Sequence, residues 1–300
     1  MEHPLKEVFD IPKIDSLRIH LPIEHCTIVD DHFLREHLVV CDGEVVDQHI
    51  KTTKYNEVNG VGVGYKKVQL RNGKESREYI SIGFSSKLLK KDYLQGISKH
   101  NIQTIYNYIL QDGVIEVDYE NFINARAVDI DICKDVLLEG TTCKDVISVC
   151  KQLSVAHKET VANAFTKQDN TGIEWGKRDK VFKAYKKKQY LKYYAKLVEL
   201  TYKSKEFKDA YLDIPKEVNL ENWLRVETTI KNSEHFKTYD IHCKTLTQLL
   251  DIDFSKHLDI FNRPIKWYMT GKKEIKKREG ISITDRVVLK ELKRYILEFG

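Results

Sequence analysis

Apolar and polar residues alternate in several short stretches of the chain, and a period of two predicts strands. In the first hundred residues DSLRIHLP (15–22), GVGVGYKKVQL (60–70) and REYISIGFSS (77–86) read this way. The last two flank RNGKES, whose Asn-Gly predicts a β-hairpin with a loop longer than two residues. The period then changes. SKHNIQTIYNYILQDG (98–113) has a capping serine, apolar residues at helical spacing and a closing glycine, which together predict a helix.

From residue 126 the pattern is more regular. RAVDIDI (126–132) predicts a strand, and TCKDVISVCKQLSVAHKE (142–159) an amphipathic helix with Val146, Val149, Cys150 and Leu153 on one stripe. TGIEWG (171–176) and KVFKAYK (180–186) predict two short strands, residues 187–212 a long basic helix, and NWLRVETTIK (222–231) a final strand. The order β-α-β-β-α-β predicts an α+β fold with a ferredoxin-like antiparallel sheet in the spatial order 4-1-3-2, both helices on one face. Three regions are expected: a β-rich half (1–120), the βαββαβ half (121–232) and a mixed, helical C-terminal region (233–300) containing ITDRVVLKELKRYILEF. Strand 15–22, hairpin 60–86 and helix 98–113 are compatible with a second, diverged N-terminal sheet.

Side chains alternate across a strand, so parity separates a helix-packed face from an open one. Val128, Ile130 and Ile132 are expected inside, with Asp129 and Asp131 outside. Phe182 and Ala184 go in and leave Lys183 and Tyr185 out, while Leu224 and Val226 leave Arg225, Glu227 and Thr229 out. Three neighbouring carboxylates repel one another unless cations share the space. Lysine and arginine can supply that charge. A hard divalent ion, Mg²⁺ or Mn²⁺, takes such oxygen ligands, which makes Asp129, Asp131 and Glu227 a candidate metal set.

Composition narrows the class. The chain of 300 residues is 41% apolar, enough for a globular core, and no run approaches the roughly 18 apolar residues of a membrane span. MEHPLKEVFD lacks the apolar stretch of a signal peptide, so a cytoplasmic location is expected. Six cysteines without a CxxC pair give neither a zinc ribbon nor a disulfide framework. The glycines of GVGVG do not match GxGxxG before a helix, which sets a dinucleotide site aside.

The net charge of +5 is modest, but residues 177–208 hold 12 Lys/Arg against 3 Asp/Glu, and RPIKWYMTGKKEIKKR (263–278) is a second basic run. Interleaved with Trp and Tyr, such charge suits a nucleic acid, although a single lysine run is more often a solvated helix face. A tyrosine beside a metal on a basic protein then points to attack of the phenolic oxygen on a phosphodiester, leaving protein and DNA covalently joined. Parity selects Tyr185, with Lys183 or Lys187 to lower the phenol's pKa; Tyr190 is the alternative. Any one of the 16 tyrosines, taken alone, is more often a packing residue.

KIDSLRIHLP, VDDHF, YISIGFSSKLLKKDYLQGI (79–97), VDIDICKDV (128–136), FKAYKK (182–187) and LRVETTIK (224–231) together resemble rolling-circle replication initiators of the phage and plasmid type, in particular gene II-like replication proteins. The resemblance runs from about residue 13 to 232. It implies a metal-dependent endonuclease and strand transferase of the HUH-like kind in a bacterial host cell, acting on single-stranded or supercoiled origin DNA, with a host helicase as a further partner. It also implies that Tyr185 is the nucleophile, Lys187 its lysine and Glu227 the glutamate of the last strand. The basic residues Lys183, Lys186, Lys188 and Arg225 are expected on DNA. Two departures stand out. Lys186 replaces the aspartate of the Tyr-Asp-Lys element, and no histidine-hydrophobic-histidine motif is present, which leaves His20 outside the site. A noncatalytic single-stranded nucleic-acid-binding module is the rival reading, against which the acidic centre of the open face argues. A nuclease hydrolysing with water would use the same acids and leave Tyr185 dispensable.

Overall fold

The alternating stretches become strands of one large antiparallel sheet. In the computed structural model the described residues are 8–30, 35–41, 44–51, 55–58, 61–72, 75–154, 163–164, 171–176 and 189–269. The strands in chain order are β1 (Lys13–Pro22), β2 (Cys26–Ile28), β3 (Arg35–Cys41), β4 (Glu44–Lys51), β5 (Tyr55–Val58), β6 (Val61–Asn72), β7 (Glu75–Ser85), β8 (Ile115–Val117), β9 (Arg126–Leu137), β10 (Asn163–Ala164), β11 (Gly172–Trp175), β12 (Gln189–Ala195) and β13 (Trp223–Lys231). Their spatial order is β10-β11-β12-β13-β9-β1-β7-β6-β4-β3, with β5 on β6 and β2 paired to β8 apart from the sheet.

Three expectations change. The four strands of the expected 4-1-3-2 unit stand in the order β11-β12-β13-β9, which is 2-3-4-1. The third of them is β12, inside the stretch expected as a helix, whereas the predicted strand 180–186 lies outside the described residues. The reason is local and tertiary together. QYLKYYA is rich in aromatics that favour strands, and pairing with β13 sends Leu191, Tyr193 and Ala195 into the core. Helix begins only at Lys196, as α4 (Lys196–Lys203) and α5 (Lys205–Tyr211), separated at Ser204. The β6–β7 ladder closes at Asn72–Glu75, so only residues 73–74 lie between the strands, fewer than expected.

β1 joins the two expected halves, because it pairs with β7 on one side and β9 on the other. Its register against β9 shifts twice, leaving Asp15 unpaired on β1 and Val128 unpaired on β9. The second shift puts Ala127 in the core in place of the expected Val128, which is half-buried.

One sheet face carries Leu17, Ile19, Ile82, Ile130, Ile230 and Leu191, all buried. Helices cover it. α1 (Ile102–Gln111) buries Ile102, Ile105 and Ile109, and Tyr65 Oη of β6 donates to Asp112 Oδ2 at 3.2 Å beyond its end. α2 (Tyr119–Ile123) adds Phe122. α3 (Cys143–Ser154) starts on a capping box in which Thr142 N donates to Asp145 Oδ2 (3.1 Å) and Asp145 N to Thr142 Oγ1 (3.2 Å). After α6 (Leu246–Leu250), α7 (Asp259–Met269) lies over β12 and β13, where Thr228 Oγ1 donates to Ile260 O at 3.0 Å. No helix among the described residues is long and apolar enough to cross a membrane.

Candidate functional site

The other sheet face is polar, and register sorts its side chains into rows. One row is Glu174, Lys192, Glu227, Cys133 and Lys13; the next is Tyr190, Thr229, Asp131, Ser16 and Ser85. A third is Lys231, Asp129, Arg18, Gly83 and Gly64. Asp129, Asp131, Arg225, Glu227 and Thr229 therefore share a face, as parity predicts.

One end of this face is closed by α4, α5 and the turn of 3-10 helix at Ser86–Gln95. Beneath that cover Arg225 donates from Nε and Nη2 to the two oxygens of Asp135, each at 2.7 Å, and from Nη1 to Asp15 Oδ1 (2.9 Å) and Tyr93 Oη (2.8 Å). Lys13 Nζ lies 2.9 Å from Asp135 Oδ2, and Trp223 Nε1 donates to Oδ1 at 2.9 Å. Burial works to raise the Asp135 carboxyl, but Arg225 and Lys13 outweigh it and hold the group far below the ordinary carboxylate range. Arg225, expected on DNA, is 1% exposed, so its charge is spent inside the protein.

Glu227 belongs to the same buried zone. Lys192 Nζ contacts its Oε1 and Tyr194 Oη donates to its Oε2 at 2.7 Å. Burial disfavours the Lys192 ammonium, but Glu227 above all, and then Asp131 and Glu174, outweigh that cost and hold it protonated well above the usual lysine value. Lysine thus supplies the positive charge that three carboxylates on one face require. Among the described residues no group of three or more His, Cys, Asp or Glu side chains is placed to hold a metal ion.

The other end of the face is open. Asp129 and Asp131 sit in a groove of about 520 Å³ with Arg18, Lys66 and Lys231 around them. Asp129 accepts from Asn232 N at 3.0 Å and lies 3.3 Å from Arg18 Nη1 and 3.5 Å from Lys231 Nζ. Asp131 Oδ2 accepts from Ser16 Oγ at 2.6 Å. Its Oδ1 is buried without a partner, and so is Thr229 Oγ1 directly across the ladder. Buried polar atoms are seldom left unpaired. Tyr190 stands on the far side of Thr229, half-buried. Burial raises its phenol, as do Glu174 and Asp129, against the pull of Lys192.

The expected site residues thus divide. Asp129 and Asp131 come together in the groove, and Glu227 stands beyond them with both oxygens already engaged. Tyr185, Lys183, Lys186, Lys187 and Lys188 lie outside the described residues. Sequence reasoning missed Lys192 and Tyr194, although their alternation with Leu191, Tyr193 and Ala195 is a strand signal. It also missed Arg18 and Ser16, whose parity was readable but whose neighbour strand was not.

His20, next on this face beyond Arg18, is 8% exposed and stacks obliquely on Tyr79 at 5.9 Å. Burial lowers its imidazole to about 4, helped by Arg126, Arg18 and Lys66 and opposed by Asp129. The unfolded chain, near 6.5, then takes up a proton that the folded one refuses. Stability from this group is present above about pH 6.5 and is lost as pH falls toward 4, by at most about 3 kcal/mol and less where solvent screens it. Urea midpoints should drop over that interval, and His20→Gln should flatten the drop; an unchanged slope would contradict the assignment.

No protein-family model matches the chain, and no curated protein matches it. Among solved structures the chain is similar to the structure of a rolling circle replication initiator protein from Geobacillus stearothermophilus, at 12% identity and a TM-score of 0.40, over 94% of this chain and 96% of that one.

Proposed function

We propose that the chain initiates rolling-circle DNA replication: it nicks one strand at an origin through a tyrosine, remains joined to the DNA as a phosphotyrosyl ester and later rejoins the ends. The observation that carries this reading is the open groove, in which Asp129 and the half-satisfied Asp131 stand among cationic side chains. The motif resemblance in LRVETTIK and VDIDICKDV supports it from the sequence.

Asp129 and Asp131 would hold the Mg²⁺ or Mn²⁺ that the resemblance implies, and the unpartnered Oδ1 of Asp131 fits an oxygen-ligand role. Two carboxylates are enough for Mg²⁺, which completes its shell with water and phosphate oxygens. Such an ion, when bound, polarises the phosphate and offsets charge developing on it. Glu227 fits less well as a ligand, because Lys192 and Tyr194 occupy it; its role in this reading is to hold those two side chains.

Tyr185 is the proposed nucleophile. It precedes Gln189 by four residues, a chain length that bounds their separation at about 14 Å, and Gln189 begins β12 beside the Tyr190–Thr229–Asp131 row. Lys187 lowers the phenol's pKa, and Lys183, Lys186 and Lys188 face phosphates. Arg18 and Lys231 orient the scissile phosphate from the groove wall.

The test is to incubate the full chain with supercoiled or single-stranded origin DNA and Mn²⁺ or Mg²⁺, and to separate the products under denaturing conditions. A covalent protein–DNA adduct and nicked circles are expected, and failure to form the adduct with either ion sinks the reading. Asp131→Asn should lower metal-dependent cleavage by on the order of 10- to 100-fold, and full activity in that variant would remove the metal from the scheme.

A further inference from the structure

Two histidines that lie apart in the sequence meet at the edge of the sheet. β3 is the last strand in the spatial order, and its antiparallel register with β4 sets His37 directly opposite His49. Alternation puts His49 on the same face as Lys51, and Lys51 pairs with Lys66, which lines the groove. The histidine pair therefore belongs to the polar face. Leu38, Val40, Val45 and Ile50 fall on the opposite face, so the pair is not part of the ribbon's apolar row. Among the described residues the register between β4 and β6 is the single pair Lys51 with Lys66, and Arg35 stands opposite Lys51 in the same row. Like charges directly opposite one another destabilise a ladder, and a two-stranded ribbon is marginal by itself. A further link between β3 and β4 would hold strands that their own ladder holds weakly.

The chemistry of the pair names that link. Directly opposite residues of an antiparallel ladder have Cβ atoms about 4.5–5.5 Å apart. A divalent transition-metal ion bonds imidazole nitrogen at about 2.0–2.1 Å, so one ion can be reached from both positions. Imidazole suits Zn²⁺, Ni²⁺ and Cu²⁺, whereas Mg²⁺ takes oxygen ligands. Two protein ligands leave the other coordination positions to water. Asp47, opposite Val39, occupies the next position on the same face and adds a negative charge to it. Such an ion is distinct from one held by Asp129 and Asp131, because β4 stands four ladder steps from β9, roughly 19 Å at about 4.8 Å per step.

We infer that the register pair His37 and His49 binds one imidazole-seeking divalent transition-metal ion, Zn²⁺, Ni²⁺ or Cu²⁺, which clips β3 to β4. The ion is structural: it ties the edge ribbon together across its ladder. The clip goes beyond the nicking reading and stands or falls without it.

The experiment titrates the full chain, first stripped with a chelator, with Zn²⁺ by calorimetry and follows amide hydrogen exchange in β3 and β4 with and without the ion. Wild type should bind Zn²⁺, and exchange in both strands should slow on adding Zn²⁺ but not on adding Mg²⁺. His37→Thr and His49→Thr put a residue with strand propensity at each position, so the ribbon keeps its ladder. Each should weaken Zn²⁺ binding at least about tenfold, since losing even an outer partner of a metal ligand costs about 10- to 100-fold. Each should also abolish the slowing. His242→Ala, which removes an exposed histidine elsewhere, should change neither measurement. Wild type without Zn²⁺-dependent protection of β3 and β4 overturns the clip. Threonine variants that match wild type in both measurements overturn it too, and so does Zn²⁺ binding that falls only in His242→Ala.

Discussion

Tyr185→Phe is expected to abolish the covalent protein–DNA adduct, by on the order of a thousandfold or more, while Tyr190→Phe retains it. Phenylalanine removes only the phenolic oxygen, the proposed nucleophile, so DNA binding and melting temperature should not move. Tyr190 is the control because it is held by the sheet. It pairs across the ladder with Thr229, and its phenol is raised by burial and by the nearby acids, opposite to what a nucleophile at neutral pH requires. An adduct that survives Tyr185→Phe and vanishes in Tyr190→Phe would move the chemistry onto β12. Survival in both variants would place the covalent bond on another residue, and cleavage without any adduct in wild type would leave the carboxylates as a water-activating nuclease site.

Asp135→Ala is expected to cost about 3–5 kcal/mol, the scale of leaving buried cations unpaired. Asp135 accepts two bonds from Arg225, one from Trp223 and the charge of Lys13, in a zone where all four groups are buried. Arg225→Met alone should cost a similar amount by stranding Asp135. The double variant Asp135→Leu/Arg225→Met should lose much less than the two added together, because no unpaired charge remains. Additive losses in urea unfolding would show that the pair is not coupled. The linkage to pH has the carboxylate sign. The folded value is depressed, so the stabilisation is present above about pH 4, the ordinary range, and disappears as pH falls below it. Acid unfolding of wild type should be steep there and shallower in the double variant.

The same pair shows where reading a sequence stops. Parity put Arg225 on the face with Asp129, Asp131 and Glu227, and the register agrees. Exposure is another matter, since nothing local to LRVETTIK indicates that α4, α5 and residues 86–95 cover that end of the face. The β12 strand is a second case. Its alternation was visible, but a lysine-rich stretch with no turn signal also reads as a helix, and only pairing with β13 decides between them.

What the sequence by itself determined is local. Strand parity in RAVDIDI and WLRVETTIK, the helices at 102–111 and 143–154 and the position of the 61–85 hairpin follow from periodicity and turn chemistry, because they depend on neighbours a few residues away. The predicted serine cap does not follow, since the first of these helices starts from Asn101 without a side-chain cap. The tertiary structure alone decided the strand order, the joining of both halves through β1 and the shifts at Asp15 and Val128. It also decided that Glu227 meets Lys192, while Asp131, beside the open groove, keeps one buried oxygen without a hydrogen bond. Those outcomes depend on which distant strands pair and what then covers them, a choice made by burial summed over the whole sheet.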